Sequence, residues 1–225
     1  MISSPMITVD ELAERLAARR PRRIRFGRVV VQSAVAVVLR DSPRRGIEVL
    51  LARRAEREGD PWSGHMSFPG GRRHGDDRDL RITAERELVE ETGLAIDAGG
   101  ERLPSGLGDL VTRAHEKPVP MLVRPFVYQL TRRRPRWKLS HEIREVVWVP
   151  LDYFADERNR VPLEWRFAGT DWVLPSYVFG GRRIWGLTLM ILGELVSVSH
   201  GVRFSRLPGL EALERLWRRR HLGAS

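Results

Sequence analysis

The chain contains no cysteine, which excludes disulfides and thiolate metal ligands and gives no sign of an oxidising compartment. Lysine is nearly absent as well. Lys117 and Lys138 are the only two, so almost all of the 39 basic residues are arginine. Long apolar runs are also missing: the longest, residues 187–192 continuing to 198, is interrupted by Gly193 and Glu194 and is too short to span a bilayer. Residues 1–10 lack a basic segment followed by an apolar one, so no secretory signal is read there. No repeat and no low-complexity segment is found outside the arginine clusters. These absences lead us to expect a soluble, cytoplasmic protein.

What is present looks globular. A chain of 225 residues with 42% hydrophobic and 30% charged residues can bury a proper core, and one domain with terminal additions is expected. The expected division is an N-terminal helix with an Arg-rich linker at 1–23, a main domain at 24–205 and a basic C-terminal helix at 206–225. The formal net charge is +10. Arginine's planar fork suits phosphate and carboxylate recognition, and clusters occur at 19–23, 132–136 and 218–220. They lack aromatic interleaving and helix-turn-helix spacing, so no nucleic-acid partner is expected. A field that attracts anionic small molecules fits the same charge. No membrane partner is expected, and a homodimer is compatible with the sequence.

The segment 84–94, Ala-Glu-Arg-Glu-Leu-Val-Glu-Glu-Thr-Gly-Leu, carries the strongest chemical signal. If it is helical, Glu87, Glu90 and Glu91 fall at i, i+3 and i+4 and share one face. Three like charges repel unless something positive sits between them. Hard oxygen ligands suit Mg²⁺ or Mn²⁺, and carboxylates beside the Gly-rich turn Phe68-Pro69-Gly70-Gly71 could hold a diphosphate. Asp79 or Thr83 could start the helix, and Gly93 would end it in a left-handed cap with Leu94 packing back. Its interior face would be Ile82, Ala84, Leu88 and Val89. Arg86, four residues before Glu90, could orient that carboxylate.

Elsewhere, Thr8-Val9-Asp10-Glu11 reads as a capping box opening a short helix with Leu12, Leu16 and Ala17 inward. Residues 29–39 and 47–52 read as a hairpin across Asp41-Ser42-Pro43. Short strands are expected at 65–68, 105–112, 121–131 and 145–149, and a helix start at 151–154. A second hairpin, 172–179 with 183–185, turns at Gly180-Gly181, and helices are expected at 187–198 and 210–219. The fold class suggested is α/β, a mixed sheet with helices on both sides.

The pattern Arg86-Glu87-Leu88-x-Glu90-Glu91-x-Gly93-Leu94, with Gly70-Gly71 upstream, resembles the Nudix box. The runs 49–55, 63–71, 137–151 and 183–188 are similar to the coenzyme A pyrophosphatases of that family. The resemblance covers roughly residues 29–200. It implies a Nudix-type α/β/α sandwich and metal-dependent hydrolysis of a diphosphate bond by direct attack of water at phosphorus. For coenzyme A or its thioesters, the products would be 3′,5′-ADP and 4′-phosphopantetheine. Two departures stand out. The usual glutamate eight residues before the box arginine is Arg78 here, flanked by Asp77 and Asp79 in a turn one residue longer than common. Where the subfamily has His-x-Gly-Gln, this chain has Trp62-Ser63-Gly64-His65.

The resemblance assigns Glu87, Glu90 and Glu91 as metal ligands for Mg²⁺ or Mn²⁺, with a carbonyl from Gly71, and no organic cofactor. Arg54, Arg72, Arg73 and the Gly70 amide are candidates for the substrate phosphates. The general base in this family can be a box glutamate or one from a later loop, for which Glu142 and Glu145 are candidates. Arg86 joins the catalytic set as an orienting residue. Two other readings are carried: a Nudix hydrolase of ADP-ribose or a dinucleotide, and a catalytically silent module that binds nucleotide or RNA. An intact carboxylate set argues against the last.

Overall fold

The computed structural model describes residues 7–24, 31–58, 63–96, 100–102, 106–113, 119–131, 135–167 and 170–201. The expected helix at 210–219, and with it the proposed C-terminal unit, lies outside them. The centre of the fold is strand β1 (Val31–Ser42). Side chains alternate along a strand, so Val35, Val37 and Leu39 enter one apolar cluster while Ala34, Ala36 and Val38 enter another. A strand buried on both faces must be apolar at nearly every position, which is what 34–39 shows.

Strand β1 turns back into β2 (Gly46–Arg54), antiparallel from Leu39↔Val49 to Ser42↔Gly46. It also runs parallel to β7 (Pro120–Leu130), Val31 opposite Met121. Beyond Leu39 the first hairpin opens. Strand β2 continues against β3 (Met66–Ser67) and β8 (Ile143–Pro150), while the vacated edge of β1 at Ser33–Val35 is taken by β4 (Gly70–Arg72). The Gly-rich segment expected as a turn is thus a short strand lodged where two long strands part. Strands β5 (Gly100–Arg102) and β6 (Leu110–Arg113) pair with β7.

Two layers of helices cover this sheet, giving the expected mixed-sheet α/β sandwich. Helix α2 (Leu80–Thr92) lies over Ala34, Ala36, Val38 and Leu50, where alanines let the helix come close. The opposite face is covered by α1 (Val9–Ala17), the single turn α3 (Asp152–Ala155) and α4 (Gly186–His200). A separate antiparallel sheet, β9 (Arg160–Phe167), β10 (Thr170–Phe179) and β11 (Arg182–Trp185), joins that side through Tyr177 and Ile184. Gly180 and Gly181 turn its second hairpin with positive φ of 55° and 78°, the conformation that a tight two-residue turn requires.

Three sequence expectations change. Strand β9 went unforeseen, and it carries Pro162, a residue type that rarely sits inside a strand. Pro162 sits opposite Pro175, so neither residue is asked to donate to the other. Ala17, expected inward, is exposed, and Val9 is buried in its place. Val89, expected on the interior face of α2, is 44% exposed, whereas Leu80, Ala84 and Leu88 carry that face.

The N-terminal segment is tied into the fold. The capping box of α1 is present, and Val9, Leu12 and Leu16 are fully buried in the same cluster as α4. The arginine run 19–23, expected as a linker, is held at both ends. Arg19 reaches Glu194 at 3.3 Å, the Arg22 carbonyl accepts from the Asp109 amide, and Arg23 reaches Asp109 at 3.0 Å. The Asp109 side chain is buried and also takes both arms of Arg124 at 2.7 Å. Burial alone would raise its carboxyl. Hydrogen bonds from Arg124 and the Ile24 amide outweigh that and hold it below the ordinary range.

Leu12→Ala or Leu16→Ala should therefore each destabilise the protein by about 2–5 kcal/mol, read from urea melts. Because the folded carboxyl of Asp109 is depressed, its stabilisation is present at neutral pH and lost as pH falls through the carboxylate range. Asp109→Asn should cost about 3 kcal/mol at pH 7, leaving Arg124 uncompensated, and the loss should shrink in acid.

Candidate functional site

Helix α2 starts at Asp79, whose side chain accepts from the Arg81 and Ile82 amides, and stops at Gly93 with φ 73°. Of the two starts the sequence offered, Asp79 is the cap; Gly93 ends the helix as expected, and Leu94 is buried behind it. Lys138 and Ser140 then donate their amides to the Thr92 and Glu91 carbonyls, docking the segment before β8 onto the end of the helix.

The three glutamates of α2 do not occupy equivalent places. Glu91 is 6% exposed and turns in beside Leu88, where its Oε2 accepts from the Gly70 amide at 3.2 Å. Glu87 lies against the next residue of the same strand: a Cβ on Gly71 would stand 2.5 Å from the Glu87 carboxyl carbon. A Cβ on Gly70 would stand 2.7 Å from the Val35 Cα. Close approach to the backbone of β1 requires glycine at 70, whereas a side chain at 71 would displace the Glu87 carboxylate. Glu90 sits at the rim with its side chain 54% exposed and takes a hydrogen bond from Arg86 at 3.0 Å. Among the described residues, no group of three or more His, Cys, Asp or Glu side chains is gathered to hold a metal ion. The expected trio therefore resolves into two inward carboxylates and one at the rim.

Burial pushes the Glu91 carboxyl up to about 8, and the charge of Glu87 adds to the shift. Burial also raises Glu87, against the opposing charge of Arg86. Two carboxylates in a half-dry site with few donors form a site short of positive charge. Hard oxygens from Glu87 and Glu91 fit a small divalent cation, and the Gly71 carbonyl is the backbone oxygen the sequence offered to join them. That carbonyl is steadied by the Ser33 hydroxyl, which donates to it at 2.5 Å.

Arg86 does more than the expected pairing with Glu90. One of its nitrogens donates to Glu87 at 2.9 Å and to Glu90 at 3.0 Å. The other two nitrogens grip Asp77 at 3.2 and 3.0 Å, and one of them also donates to the Arg72 carbonyl at 3.1 Å. Asp77 in turn accepts from the Thr83 hydroxyl and the His74 amide, both at 2.9 Å. The hydrogen bond from Arg86 holds the Asp77 carboxyl well below the carboxylate range, and Asp77 raises Arg86 in return. The sequence pointed to Arg78 as the residue standing where a glutamate is usual. The structure gives its neighbour Asp77 the partnership with Arg86.

The remaining candidates divide. Arg54, at the end of β2, lies near enough for its charge to lower the Glu91 carboxyl, and Glu142 near enough to raise it. Glu142 is partly exposed, with Arg57 at 3.9 Å. Arg72 is exposed and turns its carbonyl to Arg86. Arg73 is occupied, donating to the Asp77 and Arg78 carbonyls and to Gln32. Glu145, considered with Glu142 as a base, is bound by both arms of Arg182 at 2.9 and 2.5 Å and is held low by them. That pairing leaves it poorly suited to accept a proton. Ser33 carries no motif signal and was missed, and Thr83, read as a possible helix start, instead donates to Asp77.

No helix among the described residues is long and apolar enough to cross a membrane. The profile of the NUDIX domain matches residues 30–167. The chain is 30% identical over 184 residues to the mitochondrial coenzyme A diphosphatase NUDT8 of Mus musculus, covering 81% of this chain and 83% of that one. It is 31% identical over 169 residues to its Homo sapiens counterpart, covering 74% and 70%. Among solved structures, the NUDIX hydrolase from Alicyclobacillus acidocaldarius aligns with a TM-score of 0.49 at 19% identity, over 79% of this chain and 96% of that one. With a profile matching more than half its length and curated relatives aligned over most of theirs, the chain belongs to the NUDIX domain family.

Proposed function

We propose that the protein hydrolyses the diphosphate bond of coenzyme A or its thioesters, releasing 3′,5′-ADP and 4′-phosphopantetheine, with Mg²⁺ or Mn²⁺ as cofactor. The observation that carries the hydrolytic reading is the pair of inward carboxylates, Glu87 and Glu91, packed against the glycines of β4. The substrate reading is supported by the similarity to relatives named for that activity over most of both chains.

Glu87 and Glu91 would hold the cation, with Glu90 and the Gly71 carbonyl as the further candidate ligands. Such a cation supplies charge neutralisation at the diphosphate oxygens and a more acidic water. The chain's own contributions are positional and electrostatic. Arg86 fixes the Glu87 carboxylate through a hydrogen bond and cannot itself lose its proton. The Arg54 and Arg72 guanidiniums are the candidate donors to substrate oxygens, while the Gly70 amide is committed to Glu91 in this structure. Glu142, partly exposed and within electrostatic reach of Glu91, is the candidate to take the proton of the attacking water. Water attacks phosphorus, the bridging oxygen leaves with its electron pair, and the proton passes to the base. We place the activity in the cytoplasm, where a cysteine-free chain gives up nothing to a reducing environment.

Glu87→Gln and Glu91→Gln should each lower kcat by about two orders of magnitude or more, while circular dichroism stays unchanged. In metal-free buffer at pH 8 or above, Glu91→Gln should raise Tm, since it removes a buried charge beside Glu87. Near-wild-type turnover in both variants would dismiss the assignment. On a substrate panel with products identified by mass, coenzyme A should be cleaved with the highest kcat/KM. A tenfold preference for ADP-ribose or a dinucleotide would replace the substrate while leaving the chemistry intact.

A further inference from the structure

The small sheet carries a tryptophan face that the core does not use. In β10, Trp172 lies opposite Trp165 of β9, and Ser176 lies opposite Trp185 of β11. Alternation along the strands places these three tryptophans and Leu174 on one face. Tyr177 and Ile184, both essentially buried, lie on the other, against the core. Trp165 and Trp185 meet at 4.7 Å between ring centres, tilted by 46°, and His65 meets Trp185 edge-on at 5.2 Å. All three rings are partly exposed, and Leu174 is only 4% exposed. The indole Nε1–H of Trp172 is buried and has no hydrogen-bond acceptor among the described residues. A buried donor without an acceptor is costly, and such groups usually mark a place where something else supplies the partner.

This face stands next to the candidate site. The His65 carbonyl accepts from the Arg54 amide at 3.0 Å, and the charge of Arg54 acts on Glu91. The Thr188 hydroxyl donates to the Met66 carbonyl at 3.0 Å, pinning the first turn of α4, and so Trp185 just before it, to β3. Two residues beyond β3, the same chain becomes the glycine strand that meets Glu87 and Glu91.

We propose that Trp165, Trp172 and Trp185, with His65, form the subsite that receives the adenine base of the substrate. The proposal rests on the diphosphate lying at Glu87 and Glu91. A flat heteroaromatic ring uses what this surface offers: π-faces for stacking and an indole N–H that a purine ring nitrogen can satisfy. The pantetheine arm has carbonyl acceptors but no π-face, and a bare sugar phosphate has no use for the tryptophans.

Calorimetric titration of the whole protein with AMP and with ribose 5-phosphate tests this without requiring turnover. AMP should bind at least tenfold more tightly than ribose 5-phosphate and should quench tryptophan emission, which ribose 5-phosphate should not. Trp165→Leu should cut the AMP advantage by about tenfold. Trp172→Phe, which keeps a ring and removes the N–H, should cut it by about threefold. Equal binding of the two ligands to the wild-type protein overturns the subsite, and so does an equal loss of both in Trp165→Leu. The wild-type comparison decides the matter even where a variant fails to fold. Diphosphate hydrolysis with no preference for AMP would remove the subsite and keep the proposed function. A preference for AMP with no diphosphate cleaved would remove the function and keep the subsite.

Discussion

The guanidinium of Arg86 is where helix, loop and strand are held in one register. It reaches Asp77 in the loop before α2, the carbonyl of Arg72 at the end of the glycine strand, and Glu87 and Glu90 on its own helix. An exposed ion pair of this kind contributes little to stability. This one is largely shielded, planar and multiply bonded, so its worth is geometric: a fork has few ways to satisfy so many acceptors at once. If Arg86 were released, Glu87 would lose its fixed carboxylate and the loop at 73–78 its anchor on the helix.

That fixing matters because the site works against its own electrostatics. Helix α2 must come close enough for Glu91 to reach the Gly70 amide, and the alanines of β1 beneath it permit the approach. The same approach strips water from Glu91 and brings it toward Glu87, which is why its carboxyl is pushed up to about 8. A fold that merely sought stability would place an apolar residue beside Leu88. Local cost of this kind, held in place by a well-packed surround, is what the proposed binding of a cation and an anionic substrate would require.

Charge elsewhere plays a different part. Much of the arginine excess is spent internally: Arg124 and Arg23 on Asp109, Arg182 on Glu145, Arg19 on Glu194. These pairs tie the N-terminal segment and the small sheet to the main body. The tryptophan face is thereby held at a defined place beside β3.

The sequence by itself determined the local pieces whose cause is local. The capping box at Thr8, the Asp79 and Gly93 ends of α2, the Gly180-Gly181 hairpin and the apolar run of β1 each follow from chemistry within a few residues, and each is found where expected. Helical spacing brought Glu87, Glu90 and Glu91 to one side. Only the tertiary structure decided that Glu91 is buried and Glu90 is not, because burial depends on where the sheet passes rather than on the helix. It likewise decided that Asp77 and not position 78 meets Arg86, that the 19–23 run is bound to Asp109 and Glu194, and that Pro162 can sit in a strand. Each of these is a contact between segments far apart in the chain or across a turn of unusual length, and no local pattern encodes the partner. Spacing along one helix could name the carboxylates, but only packing against the glycine strand could sort them.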